Sequence, residues 1–133
     1  MAGRAWAPDE DFFMLDTEMC EGFADNATIK PLYVRLVFAA YARANDIGHA
    51  EFEPGELSRI LGEALPDGEL ILASRQTVYS ALQQAEEFGM ILPGSGVRCI
   101  VLPNGFRRGG RDRKCFWHKV GLDRRRRRPR QRP

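Results

Sequence analysis

Arg75, Gln76, Tyr79, Ser80 and Gln83 crowd one side of a short polar stretch that carries no acid. Guanidinium, carboxamide and hydroxyl groups at this spacing offer the donors and acceptors that match base edges in a DNA major groove. Arg75 and Gln76 are the expected base contacts, while Thr77 and Tyr79 suit phosphate oxygens. A second set of residues with chemical potential is Cys115 and His118, separated by two residues, with Cys99 upstream. That spacing suits a metal, but a structural zinc needs four ligands, usually as two close pairs. Cys20 and His49 lie far off in the chain, so the sequence predicts neither a metal nor any other cofactor.

The polar stretch needs a helix to hold it. Val78, Ala81, Leu82, Ala85 and Phe88 recur every three or four residues and predict one buried stripe. Ser74 is a natural N-cap, itself placed near the expected DNA, and Gly89 can end the helix in a left-handed turn. Glu86 and Glu87 sit at the far end, so a helix entering the groove by its N-terminus would keep them from the phosphates.

Upstream, 28–45 predicts an apolar supporting helix capped by Thr28, with Pro31 in its first turn and Tyr33, Leu36, Val37, Ala40 and Tyr41 on its broad face. His49-Ala50-Glu51-Phe52 reads as a short strand. Pro54 starts a further helix that would bury Leu57, Ile60, Leu61 and Ala64. Downstream, 90–92 and 97–102 predict two strands joined by Pro93-Gly94-Ser95-Gly96, and 115–120 a last strand.

The run Ser74-Arg75-Gln76-Thr77-Val78-Tyr79-Ser80-Ala81-Leu82, followed by Gly89-Met90-Ile91 and a hairpin, resembles the recognition helix and wing of winged helix-turn-helix DNA-binding proteins. The resemblance spans 28–102. It implies a mainly α fold with a small β-hairpin wing, in the order α-β-α-α-β-β, with N- and C-terminal extensions. It also implies double-stranded DNA as ligand, transcriptional regulation as the commonest use, and a possible homodimer. Accessory DNA-binding proteins of phages and plasmids, including replication factors, share this architecture. One departure stands out: 63–73 separates the two helices of the motif, where a turn of about three or four residues is usual.

Charge divides the chain. Residues 1–100 hold 7 Lys plus Arg against 16 Asp plus Glu, whereas 101–133 hold 13 against 2. An acidic body with a polycationic end predicts a polyanionic partner for the latter. Seven carboxylates between Asp9 and Asp25, with no basic residue, predict an acidic arm over 1–27. Arg98 near the wing tip, then Arg107, Arg108, Arg111, Arg113 and Lys114 in a basic extension over 103–122, are candidate backbone contacts. Arg124, Arg125, Arg126, Arg127 and Arg128 belong to an Arg-rich tail, 123–133, whose composition predicts disorder. Such a tail suits RNA as well as DNA, so an RNA-binding or protein-interaction module is the rival from another class.

Enzymatic signatures are absent: there is no phosphate-cradling glycine loop, no nucleophile elbow and no paired metal-protease histidines. Acidic residues follow the N-terminus where a leader would be apolar, and no apolar run is long enough to span a bilayer. Three widely spaced cysteines fit a reducing compartment. A cytoplasmic, non-enzymatic protein is the expectation.

Overall fold

In the computed structural model, residues 15–103 and 115–119 are described. They hold four helices and two small antiparallel sheets. The helices are α1 (Thr17–Asp25), α2 (Leu32–Arg43), α3 (Glu56–Ile60) and α4 (Arg75–Glu87). One sheet pairs β1 (His49–Glu51) with β4 (Cys99–Val101); the other pairs β2 (Glu63–Ala64) with β3 (Leu70–Ile71).

Helix α2 is the central support. Leu36, Val37, Ala39 and Ala40 are buried, and they meet Val78, Ala81, Leu82 and Ala85 of α4, Leu57 and Leu61 around α3, and Ala50 and Ile100 of the β1–β4 sheet. The helix starts at Leu32, not at Thr28. Pro31 disfavours helical backbone at the residue before it, so Lys30 cannot belong to the helix. Thr28 instead bonds the Asn26 side chain through both its N–H and its hydroxyl.

A helix also occupies Thr17–Asp25, where the sequence predicts only an acidic arm. Asp16 caps it by accepting from the Glu18 N–H at 3.0 Å. Cys20 and Ala24 are buried on its inner side, and Phe23 meets Phe38 of α2 at a centroid distance of 4.9 Å. The carboxylates stay on the outer side, which is why charge counting alone hides the helix. The sequence also offers Phe12 to Leu15 as a short strand or an apolar anchor, and of these only Leu15 is among the described residues.

Within the apolar face of α2 sits a charge. Arg35 is 1% exposed, and its guanidinium donates to the carbonyls of Ala24 (2.8 Å), Ile60 (2.6 Å), Leu61 (3.4 Å) and Gly62 (3.2 Å). These oxygens close α1 and α3, where helix ends leave acceptors without intrahelical partners and the helix dipole favours a cation. Burial lowers the Arg35 pKa, partly offset by Asp25 and Glu63. One planar fork thus joins three elements.

A second ionic link fastens α3. The Glu56 carboxylate accepts from Arg43 at 2.9 Å and from the Glu53 N–H at 2.8 Å, and lies 3.6 Å from Arg59. Burial pushes this carboxyl up, but the hydrogen bonds and the two cations outweigh it and leave the pKa below its ordinary value. Its stabilisation is therefore present above the unfolded glutamate pKa of about 4.3 and is lost as pH falls through the lower folded value. Glu56→Gln is expected to cost about 1–2 kcal/mol at pH 7, discounted because Arg43 is partly solvated. Urea unfolding should show that difference narrowing as pH falls below the unfolded glutamate value of about 4.3 and closing below the lower folded value.

The departure over 63–73 is the β2–β3 hairpin. Pro66 and Asp67 occupy its turn; Gly68 follows at φ 92° with its N–H on the Leu65 carbonyl. Gly62 is required beside it, since a Cβ there would stand 2.2 Å from the Ile71 carbonyl oxygen. The Ala73 N–H then bonds the Ser58 carbonyl, so the insertion returns to α3 before α4 begins. Ala64, expected on a buried helix face, is exposed on β2, because α3 stops at Ile60.

The two strands expected after α4 differ as well. β4 takes β1 as its ladder partner, and the stretch 90–92 keeps only the Leu92 N–H to Val101 carbonyl bond at 2.8 Å. The Ser95 hydroxyl accepts the Val101 N–H at 2.9 Å, replacing a ladder partner that Pro93 and the turn cannot supply. Residues 116–119 form a turn where a strand is predicted.

Candidate nucleic-acid interface and a thiol–imidazole cluster

Helix α4 presents its polar residues as the sequence predicts. The Ser74 hydroxyl accepts the Thr77 N–H at 3.1 Å and donates to the Thr77 hydroxyl at 2.8 Å, so both side chains build the cap. Ser74, Arg75, Gln76, Tyr79 and Gln83 are exposed, and Thr77 and Ser80 are half-buried. Gln83 reaches back one turn to the Tyr79 hydroxyl at 3.3 Å. Tyr79 is 54% exposed, far more than a core tyrosine would be. Among the described residues no ion pair involves Arg75, whereas Arg43 and Arg59 are committed to Glu56.

Phe88 departs from the predicted stripe. It is 63% exposed, with its ring 5.2 Å from that of Tyr33. The helix ends at Glu87 and Gly89 takes φ 76°, so position 88 has already turned off the buried side.

Arg98 is not an extended wing-tip cation. Its Nε donates to the Phe52 carbonyl at 2.9 Å and its guanidinium lies over the Trp117 ring at 5.1 Å. Both contacts hold it against the sheet. Arg107, Arg108, Arg111, Arg113, Lys114 and Arg124 to Arg128 lie outside the described residues.

The sheet also builds something that sequence spacing conceals. Strand pairing sets His49 opposite Val101, Ala50 opposite Ile100 and Glu51 opposite Cys99. Alternation sends Ala50 and Ile100 into the core and puts His49, Glu51 and Cys99 together on the other face. His49 and Cys99 become diagonal neighbours there. The 115–119 turn packs on this face, its Phe116 N–H bonded to the Glu51 carboxylate at 3.1 Å.

Cys99 Sγ then lies 3.7 Å from His49 Nδ1 and 3.6 Å from Cys115 Sγ, and Cys115 Sγ lies 3.5 Å from His118 Nδ1. All four atoms fall within 4.8 Å of one another. The premise that His49 is too distant to join the cysteines therefore fails: β1–β4 pairing supplies the partner. Cys20 remains apart, buried in α1.

Burial pushes the Cys99 thiol well above the ordinary range, with the Cys115 contact adding to it, and burial raises Cys115 too. Burial lowers His49, and the adjacent His118 acts the same way. Burial thus favours the neutral thiol at both cysteines.

Among the described residues no helix is long and apolar enough to cross a membrane. Comparison with protein families, with curated proteins and with solved structures returned no match.

Proposed function

We propose that this chain is a winged helix-turn-helix protein that binds double-stranded DNA, with transcriptional regulation as its role. The observation that carries this reading is the division of α4 into an exposed polar side and a buried side. Its exposed side holds Arg75, Gln76, Tyr79 and Gln83, while its opposite side is anchored by Val78, Ala81, Leu82 and Ala85. A rigidly supported helix whose exposed polar residues precede its carboxylates is suited to enter a major groove by its N-terminus. The order of α2, β1, α3, α4 and β4, with β1 paired to β4, supports the same reading. The segment 90–102 takes the place of a short wing.

Affinity and sequence preference have separate sources in this scheme. Arg75 and Gln76 read base edges, and the Arg-rich end neutralises phosphates without reading sequence. Deleting 124–133 removes seven Arg. The slope of log affinity against log salt should then become shallower by up to about 6, since each neutralised phosphate contributes about 0.9. Fluorescence anisotropy on a random-sequence duplex across a salt series measures this. An unchanged slope would exclude the tail from the backbone contacts.

A further inference from the structure

We propose that His49, Cys99, Cys115 and His118 form a closed zinc site that fastens the 115–119 turn to the outer face of the β1–β4 sheet. Zinc bonds thiolate sulfur at about 2.3 Å and imidazole nitrogen at about 2.0–2.1 Å in a tetrahedron, which sets ligand-to-ligand separations of roughly 3.4–3.8 Å. The three neighbouring separations here are 3.5, 3.6 and 3.7 Å. Both cysteines are free thiols, with their sulfurs in contact and not bonded to each other.

Two features outside the four ligand atoms point the same way. His118 turns Nδ1 toward Cys115 and places Nε2 2.9 Å from the Gly94 carbonyl oxygen. Metal-bound histidines commonly donate their second ring N–H in this manner, which fixes tautomer and orientation. The His118 backbone N–H meets Cys115 Sγ at 3.3 Å, a donor aimed at the atom that becomes negative when a thiolate forms. Both contacts are supplied by segments outside the sheet that carries His49 and Cys99.

Binding releases two thiol protons to solvent, and the dication balances the two thiolates, so the site adds no net charge to the surface. Four protein ligands leave no open position, which makes the ion structural rather than catalytic.

The test uses the full chain, stripped of metal under reducing conditions and titrated with Co²⁺, then back-titrated with Zn²⁺. One Co²⁺ per chain should bind, with tetrahedral d–d bands and thiolate-to-cobalt charge-transfer absorption that Zn²⁺ abolishes. Loss of a supporting hydrogen bond alone costs about 10–100-fold in metal affinity. Removing two ligands in Cys115→Ser/His118→Ala should therefore weaken Co²⁺ binding by more than about 100-fold. Cys20→Ser should leave the spectrum unchanged. The double variant alters the turn, leaving the α2–α4 core intact, so its helical circular dichroism should match the parent. Absence of the charge-transfer band in folded parent protein would overturn the proposal. So would its persistence in Cys115→Ser/His118→Ala or its loss in Cys20→Ser.

Discussion

Arg35→Met is expected to destabilise the protein by about 3–5 kcal/mol, the largest effect of any single side chain considered. Methionine keeps most of the apolar stem, so the loss is concentrated in the guanidinium. Its removal leaves the carbonyls of Ala24, Ile60, Leu61 and Gly62 without that donor. A buried acceptor without a partner costs about 1–3 kcal/mol, and partial entry of water reduces the sum. Arg35→Lys should recover only part of the loss, because a compact ammonium cannot span acceptors on two helix ends. For a domain of this size the shift in melting temperature should exceed about 10 °C for Arg35→Met. A variant melting within about 2 °C of the parent would show that the arginine is dispensable and that apolar packing alone joins α1, α2 and α3.

Arg75→Ala with Gln76→Ala is expected to remove sequence preference while leaving the fold intact. Each well-made bidentate base contact discriminates by about 1–3 kcal/mol, so the pair should weaken binding to a preferred site by between ~30-fold and ~10⁴-fold. Binding to unrelated sequence should fall far less, since only one positive charge is lost among a basic end that holds 13 Lys plus Arg. Stability should hardly change: both side chains are exposed, alanine favours a helix, and the Ser74–Thr77 cap is untouched. Competition binding with the preferred duplex and a scrambled duplex separates the two effects. An equal fall for both would mean that α4 contributes charge and not recognition.

Helix α4 was legible because every local signal agreed on it. Ser74 caps it, Val78, Ala81, Leu82 and Ala85 form the stripe, and Gly89 takes the left-handed turn. The strand at His49–Glu51 was legible from alternation alone. Helix α1 was obscured by its carboxylates, although Asp16 as cap and the spacing of Cys20, Phe23 and Ala24 carry an amphipathic pattern. Arg35 was hidden because a charge inside an apolar stripe looks like an interruption until two segments, the ends of α1 and α3, deliver carbonyls to it. The thiol–imidazole cluster was hidden for a different reason. Cys115 and His118 form a visible local pair, but Cys99 and His49 become a pair only through strand register across 50 residues. The signal that could have found it was a pairing of β1 with the strand holding Cys99. Following that pairing residue by residue would have placed His49 on the cysteine face.

The most direct test of the central claim is selection of bound sequences from a random double-stranded DNA pool at about 150 mM salt, where exposed charges are substantially screened. It should be run with the full chain and with a chain ending at residue 123. The account predicts one shared motif from both, with fewer molecules retained by the shorter chain. No motif from either, with salt-sensitive retention by the full chain alone, would contradict it and leave α4 as scaffold, with binding carried by the Arg-rich residues 124–133.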